Sequence, residues 1–296
     1  MSVPPPSYAH PGPPPEHPER PEGAPENSRT RGLPPWRWWM GVVGVVIGLA
    51  IPLVLGVFAG AAVAIAGGDA GDLPSGVLIA LTFLQDIGFI LAAVFVARMA
   101  RRPTARDFGL VPTALWRAVG IVVAVYVAFY VFAGIWSSIL NLHEESELPD
   151  ELGANHSTAA LVAVLVLVCV MAPVAEEFLF RGLLFTSLRT SIGMWPAAIV
   201  TGAVFGSIHA GSSPAGLLVP LAVLGFGLCL IYAWTRSLYP CVALHAVNNA
   251  IAFGVTQDWT WQIPLVLIAG TSISLLIVAG IGRALGRGSA RRAIAT

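Results

Sequence analysis

The sequence predicts an all-α membrane protein, a bundle of about eight transmembrane helices behind a disordered, proline-rich N-terminal tail. Three observations predict it. Of the 296 residues, 56% are apolar and only 11% charged, where soluble domains carry roughly 25% charged residues. Apolar runs then follow one another from residue 38 to residue 284. Finally, every one of the sixteen basic residues is Arg, and their placement alternates with those runs. Sixteen Asp and Glu balance them, so no excess positive charge argues for nucleic acid.

The elements follow in order. Residues 1–35 hold twelve of the 23 prolines, mixed with Glu, Ser, Gly and His. Such a segment buries too little apolar surface to offset chain entropy and is expected to be a solvated cytoplasmic tail, open to a proline-reading partner. The apolar runs lie at 38–66, 76–97, 116–140, 158–175 and beyond, 194–210, 216–235, 238–256 and 262–284. Most approach the ~20 residues that cross a ~30 Å hydrocarbon core as a helix. Residues 36–157 thus carry the first three helices, 158–256 the next four, and 257–296 the last helix with an Arg-rich cytoplasmic end. Cys169, Cys229 and Cys241 sit inside apolar runs with no ligand-like spacing.

Charge placement tests the helix count. With the N-terminus in the cytoplasm, the inner segments hold Arg20, Arg29, Arg31, Arg37, Arg98, Arg101, Arg102, Arg106, Arg117, Arg189, Arg236, Arg283, Arg287, Arg291 and Arg292. The outer loops hold Asp69, Asp72, Glu144, Glu145, Glu147, Asp150, Glu151 and Asp258, and no Arg. A wrong count scrambles this alternation, so the positive-inside rule predicts a cytoplasmic-membrane protein with both termini inside. Trp36, Trp38 and Trp39, with Trp259 and Trp261 at the other face, suit interfacial anchors.

Few ionisable groups remain at membrane depth: Asp86, Glu176, Glu177, Arg181, His209 and His245. A charge there costs about 2.5–3.5 kcal/mol on insertion scales, which makes each a functional candidate. Glu177 and Arg181 stand at i and i+4 in the favourable order and can pair. Glu176, its side chain about 100° away on the helix, keeps no local counter-ion and suits a general base. His209 lies one turn beyond Phe205, and His245 and Asn249 share a face at i and i+4. Three helices can thus bring a carboxylate, two imidazoles and an amide to one water, the set that hydrolyses an amide bond. Two His and one Glu, here Glu176, His209 and His245, can equally hold Zn²⁺ with an open position. Asp86 stands outside any motif and reads as structural or as part of an access route.

At these residues the chain resembles a known family. Glu176-Glu177-Phe-Leu-Phe-Arg181 is similar to the EExxxR motif of the CPBP intramembrane proteases, the CAAX-prenyl-protease-2 and bacteriocin-processing, Abi-like family. Phe205-Gly-Ser-Ile-His209 resembles its FxxxH motif, and His245-Ala-Val-Asn-Asn249 its HxxxN motif. The three occur in family order across residues 158–256.

The resemblance implies a protease core in 158–256 that cuts peptide bonds of membrane-anchored or lipidated substrates within the bilayer. It places the catalytic glutamate on Glu176, the histidines on His209 and His245, and the asparagine on Asn249. Glu177, Arg181 and Phe205 fall in supporting positions. In a metal-free mechanism, which the absence of a His-Glu-x-x-His motif slightly favours, Glu176 and His209 activate water while His245 and Asn249 stabilise the oxyanion. Two other readings are a non-proteolytic scaffold or immunity factor of the same fold, and a proton-coupled transporter. The latter would show repeat symmetry that the sequence lacks.

Overall fold

The computed structural model describes residues 32–142 and 148–293. The tail expected at 1–35 lies outside these residues up to residue 31, and so do Glu144, Glu145 and Glu147. Each of the eight apolar runs is a helix: α1 Trp38–Ile65, α2 Ser75–Ala100, α3 Leu115–Leu140, α4 Thr158–Ile192, α5 Met194–Ser207, α6 Ala215–Thr235, α7 Tyr239–Thr256 and α8 Gln262–Ala293. A one-turn helix, Leu148–Glu151, precedes α4. No strand occurs among the described residues. Six helices, all but α5 and α7, are long and apolar enough to cross a membrane by length and composition. With 14 residues, α5 rises only about 21 Å, and α7 carries the polar His245, Asn248 and Asn249.

Within lipid no hydrophobic force draws helices together, so close van der Waals packing does. Here small residues allow it. Gly44 and Gly48 of α1 lie against Leu183, Leu179 and Phe89, and a Cβ on Gly48 would come within 2.7 Å of the Phe89 ring. These positions fix α1 across α2 and α4. The glycine spacing at 44 and 48 is therefore a packing face, while Gly56 meets nothing within 4 Å.

Two parts of the chain expected at a surface are drawn inward. Trp36 is buried, its ring centroid 5.1 Å from that of Phe108, and its carbonyl accepts from the Thr190 hydroxyl at 3.0 Å. It therefore packs inside, whereas Trp38 is 54% exposed. The connection from α2 to α3 also folds in. Phe108 stacks on Phe178 of α4 at 4.3 Å, and the Gly109 carbonyl accepts from the Leu238 N–H at 2.8 Å. The Ser237 hydroxyl donates to the Val111 carbonyl at 2.7 Å. A positive φ of 70° at Gly109, with the Tyr232 ring closing on the place a Cβ would take, requires glycine there. The start of α7 is thereby held inside the bundle, with Ser237 and Leu238 fully buried.

Candidate active site

The helix that bears the two glutamates is not uniform. Ser157 caps it, accepting from the Ala160 N–H at 3.1 Å. Residues Leu167–Met171 then widen into a π-helical turn, Ala172–Glu177 return to α, and Phe178–Phe185 are π again. The first widening has an identifiable cause. Pro173 has no N–H, and its ring crowds the carbonyl four residues back. In a π turn its missing donor would have served the Val168 carbonyl, five residues back. The side chain of Asn249 supplies that donor, its Nδ2 lying 2.9 Å from the Val168 oxygen. In the second widening the Thr186 hydroxyl donates to the Arg181 carbonyl at 2.8 Å. Such turns change the angular spacing of side chains and recur at functional sites.

Glu177 and Arg181 are both fully buried and form the pair their spacing predicts, Arg181 Nη1 donating to Glu177 Oε1 at 2.7 Å. Their spacing does not announce a third member. His245 of α7 approaches the same oxygen, its Nδ1 lying 2.9 Å from Glu177 Oε1. Arg181 Nη2 donates to the Gly225 carbonyl of α6 at 2.8 Å, and its guanidinium lies 4.6 Å from the Phe205 ring centroid. Glu177 is thus the anchor of an ion pair and the holder of a histidine.

Glu176, next to it, is in a different state. Its Oε2 is buried with no hydrogen-bond partner among the described residues. The nearest ion partner is His245 Nε2 at 3.9 Å, too long for a direct hydrogen bond. A carboxylate only accepts, so the His245 Nδ1 near Glu177 carries the proton and Nε2 faces Glu176. The second histidine is held in the same way. His209 Nδ1 lies 2.8 Å from the Phe205 carbonyl, again leaving Nε2 available.

Phe205 organises the remainder. Its ring centroid lies 5.1 Å from that of His209, 5.6 Å from that of His245 and 5.4 Å from that of Phe180. Close packing of α5 on α6 sets it there. A Cβ on Gly206 would come within 2.5 Å of the Leu218 carbonyl, and one on Gly202 within 2.7 Å of the Ala222 carbonyl. His209 itself is not inside the helix, as the run 194–210 suggests. α5 ends at Ser207, and His209 occupies the turn that leads through Gly211, Ser212 and Ser213 to Pro214. There it satisfies a last-turn carbonyl, as residues at helix C-termini do.

The structure therefore gathers Glu176, Glu177, Arg181, Phe205 and His245, with His209 against the Phe205 ring. Asn249 stands one turn beyond His245 but commits one N–H to Val168. Asp86 of α2, which has no motif, is also buried with an unpartnered Oδ2, and its charge lies within electrostatic reach of Glu176.

Residues 158–251 match the family model described as Type II CAAX prenyl endopeptidase Rce1-like. The matched segment is less than half of the chain. A protein of Bacillus subtilis (strain 168) named Uncharacterized protein YpbD is similar, with 26% identity over 138 residues, 46% of this chain and 66% of that protein. The chain thus spans just under two thirds of that relative's length. No solved structure matches. Glu176 through Asn249 all fall within the matched residues, and α1–α3 and α8 fall outside them.

The zinc set drawn from spacing does not assemble. Among the described residues no three His, Cys, Asp or Glu side chains are grouped so as to hold a metal ion. Each histidine commits its Nδ1, His245 to Glu177 and His209 to the Phe205 carbonyl, and Glu177 is what His245 meets at close range.

Proposed function

We propose that the protein is an intramembrane endopeptidase that hydrolyses peptide bonds of membrane-anchored or lipidated substrates. The observation that carries this reading is the contrast between adjacent carboxylates. Glu177 holds both Arg181 and His245 through Oε1, its Oε2 being left without a partner, whereas the Glu176 carboxylate makes no hydrogen bond among the described residues and its buried Oε2 lies 3.9 Å from His245 Nε2. A reactant water bridging those two groups has one acceptor ready for its proton.

In this mechanism Glu176 takes a proton from water as the water oxygen attacks the substrate carbonyl carbon. The Nε2 of His209, an acceptor in the tautomer that Phe205 fixes, orients the water. The carbonyl oxygen becomes an oxyanion facing His245 and the second N–H of Asn249. In that role His245 carries a proton on Nε2 as well as Nδ1; once Glu176 has taken the water proton, the charges of Glu177, Arg181, His245 and the oxyanion sum to zero. Glu176 finally returns its proton to the leaving nitrogen as the C–N bond breaks. The arginine placement supports a cytoplasmic N-terminus, which sets His245 about 10 Å from the inner end of α7.

The test is cleavage of a quenched-fluorescence peptide carrying a prenylated cysteine by the purified full-length protein, compared with Glu176→Ala. Wild type is expected to cleave, and the variant to lose about 10²–10⁴-fold, the usual worth of a general base. Equal turnover would remove Glu176 from the chemistry. Turnover lost with a chelator and restored by Zn²⁺ would replace this assignment with a metal-dependent one.

A further inference from the structure

Asn248 adjoins the motif residue Asn249 without belonging to the motif. It follows His245 by three residues, so the two stand on neighbouring positions of one side of α7. Tyr126 of α3, outside the matched residues 158–251, reaches it. The Tyr126 hydroxyl donates to Asn248 Oδ1 in a long bond of 3.4 Å and lies 3.1 Å from the Tyr130 hydroxyl. With Oδ1 accepting from Tyr126, the two N–H groups of the carboxamide point away from that hydroxyl. Among the described residues no acceptor takes them, while those of Asn249 are partly committed to Val168. Asn248 is half-buried, as are Val247 and Asn249 beside it, whereas His245 and Ala246 are buried.

An apolar groove of about 440 Å³ runs between Leu115, Val119 and Val122 of α3 and Tyr239, Pro240 and Ala243 of α7. It ends one turn before Tyr126. A peptide laid out for cleavage loses its own helical hydrogen bonds, and in a water-poor site each freed carbonyl needs a donor. The groove offers its apolar side chains a place, and Asn248 offers its main chain a donor.

We propose that Asn248 is a substrate-binding residue whose carboxamide donates to a main-chain carbonyl of the bound peptide. Tyr126 is the positioning residue that keeps the carboxamide turned toward it. This rests on the endopeptidase reading.

Steady-state kinetics with the same prenylated reporter test it, using full-length protein in phosphatidylcholine–phosphatidylglycerol nanodiscs. Asn248→Ala is expected to raise KM about five- to tenfold, the loss of one neutral hydrogen bond, with a smaller fall in kcat. Tyr126→Phe keeps the ring and is expected to raise KM about two- to fivefold. The double variant should be no worse than Asn248→Ala alone, because the tyrosine acts only through the asparagine. Binding of the uncleaved reporter to the Glu176→Gln protein, followed by fluorescence anisotropy, should weaken in the same order. If wild type fails to cleave but this binding order holds, the hydrolytic reading falls and the binding assignment stands. Unchanged KM and binding in both variants, additive effects in the double variant, or no reporter binding to Glu176→Gln protein would each overturn the proposal. Should Asn248→Ala not fold, the isosteric Tyr126→Phe decides alone.

Discussion

Helices α3 and α4 are both long and overwhelmingly apolar, yet they do opposite work. Of the most apolar stretch of α3, 6% of residues are buried inside the protein; for α4 the figure is 39%. Apolarity does not distinguish them, because lipid accepts a leucine as readily as a protein core does. What distinguishes them is charge. Past Arg117, α3 carries none, while α4 carries Glu176, Glu177 and Arg181. Three ionisable groups at membrane depth oblige the surrounding helices to enclose them, and α5, α6 and α7 do so through Phe205, Gly225 and His245.

The sharpest way to break that comparison is to remove the enclosed cation. Arg181→Ala leaves Glu177 buried without a counter-ion and is expected to cost about 3–5 kcal/mol, the usual penalty for one half of a buried pair. Little folded protein should survive extraction in mild detergent. Glu176→Gln, by contrast, changes a carboxylate that makes no hydrogen bond among the described residues, and its thermal melt should match wild type while cleavage is lost. If Arg181→Ala melts like wild type, the pair does not hold the site together and the enclosure of α4 needs another cause.

Next in size is a pure packing change. Leu179 of α4 is fully buried against α1. Leu179→Ala is expected to cost about 2–4 kcal/mol, since the cavity left behind cannot fill with lipid. Unfolding by titration with SDS measures it. A cost below about 1 kcal/mol would mean that α1 and α4 close the gap by sliding.

Much of this was legible before any coordinates. Eight apolar runs become eight helices, and the i, i+4 spacing that pairs Glu177 with Arg181 is realised at 2.7 Å. Local spacing did not reach further. Glu177 and His245 are 68 residues apart, so no periodicity links them, and spacing alone reads Glu177 only as the partner of Arg181. The α5 run looked long enough to include His209 because apolar composition continues past the true helix end. The signal that marks the end is the Gly211-Ser212-Ser213-Pro214 turn beyond it. A similar signal stood at Pro173. A proline inside a span frees a carbonyl upstream, and a polar side chain elsewhere must answer it. Asn249 is that side chain, which a catalytic motif alone does not reveal. Asp86 lacked any neighbour in sequence, and only the packing of α2 beside α4 brings it near Glu176.

That double duty yields a third prediction. Asn249→Ala should destabilise the protein by about 1–3 kcal/mol, because the Val168 carbonyl is left without its donor. The loss appears in the absence of substrate. Asn249→Ala combined with Pro173→Ala should recover part of it, since the restored backbone N–H can serve the upstream carbonyls again. If Asn249→Ala lowers turnover but leaves the SDS midpoint untouched, Val168 finds another donor and the asparagine acts on substrate alone.

The smallest effect belongs to α3. Val127, one residue past Tyr126, is 58% exposed. In water such a valine would be an exposed apolar group; in a bilayer it is solvated by acyl chains in the folded and unfolded helix alike. Val127→Ala is therefore expected to shift stability by no more than about 0.5 kcal/mol, the range of substitutions away from any packed feature. The same SDS titration that reads Leu179→Ala reads this change, so the two values share one reference state. A loss above about 1 kcal/mol at Val127 would show that α3 is covered by something other than lipid. The open face that separates it from α4 would then be an interface.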